Sequence, residues 1–222
     1  MIVDLNLKGK RALLAGGGTE AARKVAGLLT QDCEIIVVAE NAVEEIRGWA
    51  DAGKIQLHER RVKDAGFLKD YDPLYLVMAA TDDKNLNREI VNAAKKMRCY
   101  VYAVDDPEAS DFSHPALINL YDTVQVAIST GGRSPLMAKN IRIRAESVLR
   151  NLISQKDALH IQLQGRLRKQ VQEKIEQPPN RKEFLENLLG DGEIGDLLSA
   201  GNLDEAENLA LSKLKKYAAG IS

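Results

Sequence analysis

Arg11-Ala-Leu-Leu-Ala-Gly-Gly-Gly-Thr-Glu-Ala-Ala-Arg-Lys24 is the stretch on which the fold turns. A short apolar run, Arg11 to Ala15, is stopped by three glycines and reads as a buried strand ending in a tight turn. Thr19 to Thr30 then reads as a helix, with Ala22, Val25, Ala26 and Leu29 on its apolar side and Arg23 and Lys24 on the other. Gly16-x-Gly18-x-x-Ala21 has the spacing of a phosphate-binding turn. The first glycine permits the turn, the second lets a pyrophosphate approach the backbone, and the small third residue lets helix pack on strand. The phosphates would then sit at the positive end of the helix dipole. Alone such a match is weak, but this one follows a strand and opens a helix.

The pattern continues outward. Glu34-Ile-Ile-Val-Val-Ala39 reads as a strand buried on both faces, Leu74-Tyr-Leu-Val-Met-Ala-Ala80 as another buried strand, and Cys99-Tyr-Val-Tyr-Ala-Val104 as the next strand. Lys54 to Glu59 alternates as an edge strand does, and helices are expected over 42–52 and 82–97. Strands alternating with helices imply an α/β fold: a Rossmann-type, doubly wound parallel sheet. Its ligand crevice lies outside the carboxyl ends of the strands. Those ends carry Gly16–Gly18, Glu40-Asn41, Thr81-Asp82-Asp83 and Asp105-Asp106. Glu40 lies where an acid takes ribose hydroxyls, and no arginine follows it on that strand to welcome a 2′-phosphate, so NAD is expected over NADP. The expected cofactor contacts are Gly16, Gly17, Gly18, Thr19, Glu20, Glu40, Asn41, Thr81, Asp82 and Asp83.

Past Asp111 the pattern changes. Val124–Ile128 reads as one more strand, followed by Ser129-Thr-Gly-Gly-Arg-Ser-Pro135 and a long basic helix from Leu136. From about Ala158 the chain reads as helical, broken at Gln177-Pro-Pro-Asn180 and at glycines 190, 192, 195 and 201. The 222 residues carry 45% hydrophobic and 28% charged side chains with a net charge of −1. That balance can bury a core and offers no global attraction to nucleic acid or an anionic membrane. No apolar run approaches the roughly 20 residues of a membrane span. Two isolated cysteines suggest neither a zinc site nor a disulfide framework, no protein-held metal is expected, and the N-terminal residues lack a signal-peptide pattern. A cytoplasmic setting is the expectation.

Several stretches together resemble the precorrin-2 dehydrogenase/sirohydrochlorin ferrochelatase family, the siroheme synthase N-terminal region. They are Leu14-Ala-Gly-Gly-Gly18 with Arg23-Lys24, Ala79-Ala-Thr-Asp-Asp83 with Asn87, Val104-Asp-Asp-Pro107 with Asp111-Phe112, and Val126 to Pro135. The segment with Phe184, Leu188-Leu189 and Ala200-Gly201 resembles that family's helical tail. The resemblance implies NAD-dependent oxidation of precorrin-2 to sirohydrochlorin, which some members follow with Fe²⁺ insertion as a chelation substrate. It implies a homodimer and makes Asp105 the acid/base residue; the residues alone allow Asp105 to be a turn cap before Pro107 as readily. It places Thr130 near the tetrapyrrole, and Glu20 stands where members usually carry a small apolar residue.

A polycarboxylate substrate would suit the basic run after the Gly-Gly turn, above all Arg133 and Lys139. Thr130, Gly131, Gly132, Arg133, Ser134, Lys139 and His114 are therefore the expected substrate contacts, His114 being either that or a packed structural histidine. The expected organisation is an NAD-binding domain over 1–112, a dimerisation and substrate segment over 113–150, and a helical C-terminal domain over 151–222. The competing reading is a non-enzymatic NAD-sensing regulatory module. A short-chain dehydrogenase is disfavoured, because no Tyr is followed four residues later by Lys.

Overall fold

A computed structural model describes residues 2–220. The chain divides into two compact units, Met1–His114 and Pro115–Ser222.

The first unit is built on a five-stranded parallel sheet ordered β3-β2-β1-β4-β5. The strands are β1 (Arg11–Ala15), β2 (Glu34–Ala39), β3 (Gln56–Glu59), β4 (Leu76–Ala79) and β5 (Tyr100–Ala103). Between them run α1 (Thr19–Leu28), α2 (Glu44–Asp51), a 3₁₀ segment (Ala65–Tyr71) and α3 (Lys84–Lys96). The inner strands are apolar without a break because both of their faces are covered. Leu13, Ile36, Val77 and Val101 point to one side, where they meet α3 residues such as Ile90 and Val91. Ala12, Leu14, Val37 and Met78 point to the other, against Ala22, Val25 and Leu28 of α1 and Ile46 of α2. The strand order reverses between β1 and β4, so their carboxyl ends diverge into a crevice at that point.

The outer edge of β5 is closed by the chain that follows it. Ser110 Oγ accepts from Ala103 N–H at 2.9 Å, and Asp111 Oδ2 accepts from Val101 N–H at 3.0 Å. Backbone donors that would otherwise be open to another strand are thereby satisfied.

In the second unit Val124–Ile128 (β7) does not extend the parallel sheet. It pairs antiparallel with β6 (Ala116–Leu120), a strand that the sequence reading missed. The hairpin turns through Tyr121 and Asp122, both at positive φ (55° and 51°). This left-handed pair suits a tight hairpin but lacks the glycine that usually announces one. Asn119 steadies it, donating to Asp122 Oδ1 at 2.8 Å. Then come α4 (Pro135–Leu152), α5 (Gln155–Lys174), α6 (Pro178–Leu189), α7 (Gly192–Ser199) and α8 (Leu203–Ala218). The Pro178-Pro179 pair, expected as a break, occupies the first turn of α6, where a proline's missing N–H costs nothing. Ser154 and Asp157 form a capping box at the start of α5. Leu163, Leu167 and Val171 of α5 pack with Phe184, Leu188, Ile194, Leu198, Ala206, Ala210 and Leu214 into a closed apolar core.

Candidate active site

Three glycines at the end of β1 do three different jobs. Gly16 lies at φ +126°, and a Cβ there would stand 2.1 Å from the Ala80 carbonyl oxygen at the end of β4. Gly17 has its own constraint, although the motif leaves its position free: a Cβ would meet the Asn41 carbonyl oxygen at 2.0 Å. Gly17 O also accepts from Val43 N–H at 2.9 Å, tying the turn to the segment before α2. Gly18 differs, since nothing lies within 4 Å of the space a Cβ would take. It precedes α1 without any capping side chain, so the first-turn N–H groups of that helix have no cap. An open glycine before an uncapped helix start fits a pyrophosphate.

Beyond β4, Thr81, Asn87 and Asp105 form one network. Asn87 is buried at 1% exposure. Its Oδ1 accepts from Thr81 N–H at 3.0 Å and from the Thr81 hydroxyl at 2.6 Å. Its Nδ2 donates to Thr81 O at 3.0 Å and to Asp105 Oδ1 at 3.1 Å. Asn87 thus uses both ends of its amide to lock the carboxyl end of β4 to that of β5. The turn-capping role falls not to Asp105 but to Asp106. Its Oδ1 accepts from Ala109 N–H at 3.1 Å, and its Oδ2 lies 3.5 Å from Arg88 Nη2. Asp105 is held through one oxygen, by Asn87, and is solvent-exposed.

Other expected contacts are already committed. Asp83 caps α3, accepting from Asn85 and Leu86 N–H at 2.9 and 3.2 Å. Asp82, Asn41 and Thr19 are exposed at the same end of the sheet. Glu20 is bound to its own helix: Arg23 donates to both of its oxygens, at 3.0 and 2.6 Å. That hydrogen bonding holds the Glu20 carboxyl below its ordinary range.

Lys24 corrects the helix reading. It lies three residues after Ala21 and four before Leu28, on the buried face, while Ala26 is exposed. Its ammonium donates to Tyr102 Oη at 3.1 Å, lies 4.3 Å from that ring's centre and 3.6 Å from Glu20 Oε1. Burial, reinforced by the neighbouring Arg23 charge, lowers its pKa to about 8. His114 packs edge-on against Tyr102 at 4.6 Å and beside Phe112 at 5.5 Å. Loss of water around the ring, then the charges of Lys24 and Arg23, push its pKa down. It therefore belongs to an aromatic and cationic cluster on the α1 side of the sheet, although the residue as a whole remains exposed to solvent.

Arg61 was also missed. Glu40 closes β2, and its Oε2 lies 3.6 Å from Arg61 Nε, so an arginine does stand at this strand end, delivered from beyond β3.

In the second unit the Ser129–Pro135 turn is self-braced. Thr130 Oγ1 accepts from Ser134 N–H at 3.2 Å and donates to Ser134 O at 3.1 Å, while Ser134 Oγ caps α4 through Met137 N–H at 3.2 Å. Gly131 and Gly132 both take positive φ, 61° and 77°. The Thr130 hydroxyl is therefore engaged in holding the turn. Arg142 and Arg150 share Glu146, which leaves Arg133 and Lys139 as the exposed cations nearest the turn. Among the described residues no cluster of three or more His, Cys, Asp or Glu side chains could hold a metal ion. No helix among them is long and apolar enough to cross a membrane.

A parallel sheet with this strand order and a glycine turn at its switch point defines a dinucleotide-binding domain of Rossmann type. Comparison with known proteins agrees. Residues 3–116 match a family model described as "Putative NAD(P)-binding", and residues 161–214 match one described as the sirohaem synthase dimerisation region. The siroheme synthase of Nitrosococcus oceani is 34% identical over 92% of this chain and 42% of its own length. That of Methylococcus capsulatus is 33% identical over 94% and 42%. The chain therefore spans about two fifths of the length of these relatives. A solved structure of SirC, precorrin-2 dehydrogenase, shares the fold with a TM-score of 0.64 at 24% identity, covering 98% of this chain and all of the other. The chain belongs to the "Putative NAD(P)-binding" family that its first half matches, and over most of its own length it is similar to the siroheme synthases.

Proposed function

We propose that this chain is an NAD-dependent precorrin-2 dehydrogenase that produces sirohydrochlorin for siroheme synthesis. The observation that carries the reading is Asp105, anchored by the buried Asn87 at the carboxyl end of β5, on the same sheet end as the open glycine turn. The names of the relatives supply the substrate class.

Bound NAD⁺ would accept the hydride that leaves the macrocycle. The rest falls to the chain's own groups. Gly18 and the start of α1 seat the phosphates, Glu40 receives ribose hydroxyls, and Thr81 and Asp82 line the crevice at the end of β4. Asp105 accepts a proton released as the ring system is oxidised, its orientation fixed through Oδ1 by Asn87. Arg133 and Lys139, with the backbone of Gly131, Gly132 and Ser134, offer positive charge and donors to the substrate's carboxylates.

A homodimer is part of the proposal. Met137, Ile141, Val148 and Leu152 of α4 are exposed and recur at helical spacing along one side of the helix, an apolar stripe that suits a second copy. The matched dimerisation region, by contrast, turns Leu163, Leu167, Phe184 and Leu188 into its own core. We place the protein in the cytoplasm and propose Fe²⁺ insertion into sirohydrochlorin as a following step, Fe²⁺ being a substrate.

The deciding experiment supplies precorrin-2 and NAD⁺ to the purified protein and follows NADH by its absorbance. NADH formation is the expected result. Its absence with competent substrate overturns the enzyme reading and favours the NAD-sensing module. Sirohydrochlorin with Fe²⁺, measured against the uncatalysed rate, tests chelation separately.

A further inference from the structure

We propose that Arg61 is a specificity-determining residue that lets this domain accept the 2′-phosphorylated dinucleotide NADP⁺ as well as NAD⁺. The inference rests on the dinucleotide reading of the glycine turn and goes beyond the assignment of NAD.

The backbone puts Arg61 where it matters. β2 and β3 run parallel with Ala39 opposite Glu59, and Arg60 N–H then donates to Ala39 O at 2.8 Å. The ladder thus continues one residue past β3, and the next residue, Arg61, emerges beside Glu40. Of the two adjacent arginines, Arg60 is directed elsewhere. Its guanidinium bonds Asp70 at 2.9 Å and lies 5.7 and 5.4 Å from the ring centres of Phe67 and Tyr71. Among the described residues Arg61 has one ion-pair partner, Glu40 at 3.6 Å, and its side chain is 71% exposed. Below them the loop that carries Glu40 is fixed, because the Asn41 carbonyl packs onto Gly17.

The two side chains bring opposite chemistries to one position. A carboxylate at the end of β2 accepts hydrogen bonds from the adenosine ribose and repels a 2′-phosphate; a guanidinium nearby provides paired donors for that phosphate. Here each is the other's partner. With NAD⁺, Glu40 accepts the ribose hydroxyls while Arg61 remains beside it and offsets its charge. With NADP⁺, Arg61 exchanges Glu40 for the 2′-phosphate, and an exposed ion pair of this kind is weak enough to give way. A lone acid would exclude NADP⁺, whereas this pair discriminates only weakly.

Titration calorimetry with NAD⁺ and NADP⁺ on the full chain tests this without any turnover. The wild type is expected to bind the two within about tenfold of each other. Arg61→Ala should weaken NADP⁺ by about tenfold or more while leaving NAD⁺ nearly unchanged, and Glu40→Gln should reverse the preference. Binding of NAD⁺ with no measurable NADP⁺ binding overturns the proposal, as does an NADP⁺ to NAD⁺ ratio that Arg61→Ala leaves unaltered. If the wild type binds neither dinucleotide, the dinucleotide reading itself fails, a result distinct from a failure of the Arg61 assignment alone.

Discussion

Asn87 Nδ2 stands 3.1 Å from Asp105 Oδ1, joining a buried amide on α3 to an exposed carboxylate at the end of β5. The other end of that amide is occupied by Thr81, so Asn87 cannot rotate without giving up contacts to β4. Asp105 therefore inherits its orientation from the sheet through a side chain that never meets solvent. Asn87→Ala should reduce kcat for NADH formation by about a hundredfold, the scale of a misplaced catalytic group, and change NAD⁺ affinity far less. The unpaired Thr81 groups should also cost about 1–3 kcal/mol of stability. A variant with normal kcat would show that Asp105 does not depend on Asn87.

Asp105→Ala removes the proton acceptor and leaves the glycine turn untouched. NADH formation should fall by about a hundredfold or more, with NAD⁺ binding retained in calorimetry. An undiminished rate would take Asp105 out of the mechanism.

The three glycines should separate into two classes. Gly16→Ala forces a side chain to φ +126° and into the Ala80 carbonyl, and Gly17→Ala drives one into the Asn41 carbonyl. Each should destabilise the fold by about 2–4 kcal/mol, read as a lowered unfolding midpoint. Gly18→Ala meets open space, so its unfolding midpoint should stay near that of the wild type while NAD⁺ affinity falls about tenfold or more. Equal loss of stability in all three would contradict the geometry.

Lys24 should leave a signature in stability against pH. The folded protein gives up this proton near pH 8, the unfolded chain near the ordinary value of 10.5. Between those values the unfolded chain holds more protons, so raising the pH stabilises the wild type. Relative to Lys24→Met, the wild type should gain up to about 3 kcal/mol across that window, at about 1.4 kcal/mol per pKa unit. Denaturant titrations of both proteins at pH 7.5, 9 and 10.5, roughly spanning the window, measure it. Parallel curves would show that Lys24 titrates normally.

The apolar side of α4 can be tested by charge. Ile141 and Val148, two turns apart on one side of α4, are 39% and 64% exposed, so Ile141→Glu with Val148→Glu should spare the monomer's core. Sedimentation should then report a monomer where the wild type is a dimer, since buried unpaired carboxylates oppose association. A persisting dimer would move the interface elsewhere.

Much of the first unit was legible because its signals are local. Strands buried on both faces are unbroken apolar runs, and β1, β2 and β4 show them, while the edge strand β5 buries only alternate residues; the glycine turn has fixed spacing. What escaped the sequence depends on distant partners. Lys24 looks like a surface residue until Tyr102, 78 positions away, supplies its hydrogen bond. Arg61 matters only because β3 lies beside β2. Asn87 appears as one residue of a family pattern, yet its role requires both Thr81 and Asp105. The β6–β7 hairpin hides because Tyr121-Asp122 takes a conformation that those residue types seldom announce. The spacing on α1 did hold the clue to Lys24, in its place between Ala21 and Leu28.

The contacts on either side of Gly16 and Gly17 bear finally on how tightly the domain can hold its ligand. The Ala80 carbonyl presses on the turn from one flank and the Asn41 carbonyl from the other, so the loop's shape is set by the sheet before any ligand arrives. A dinucleotide meets a rigid seat and loses little of its binding free energy to ordering that loop.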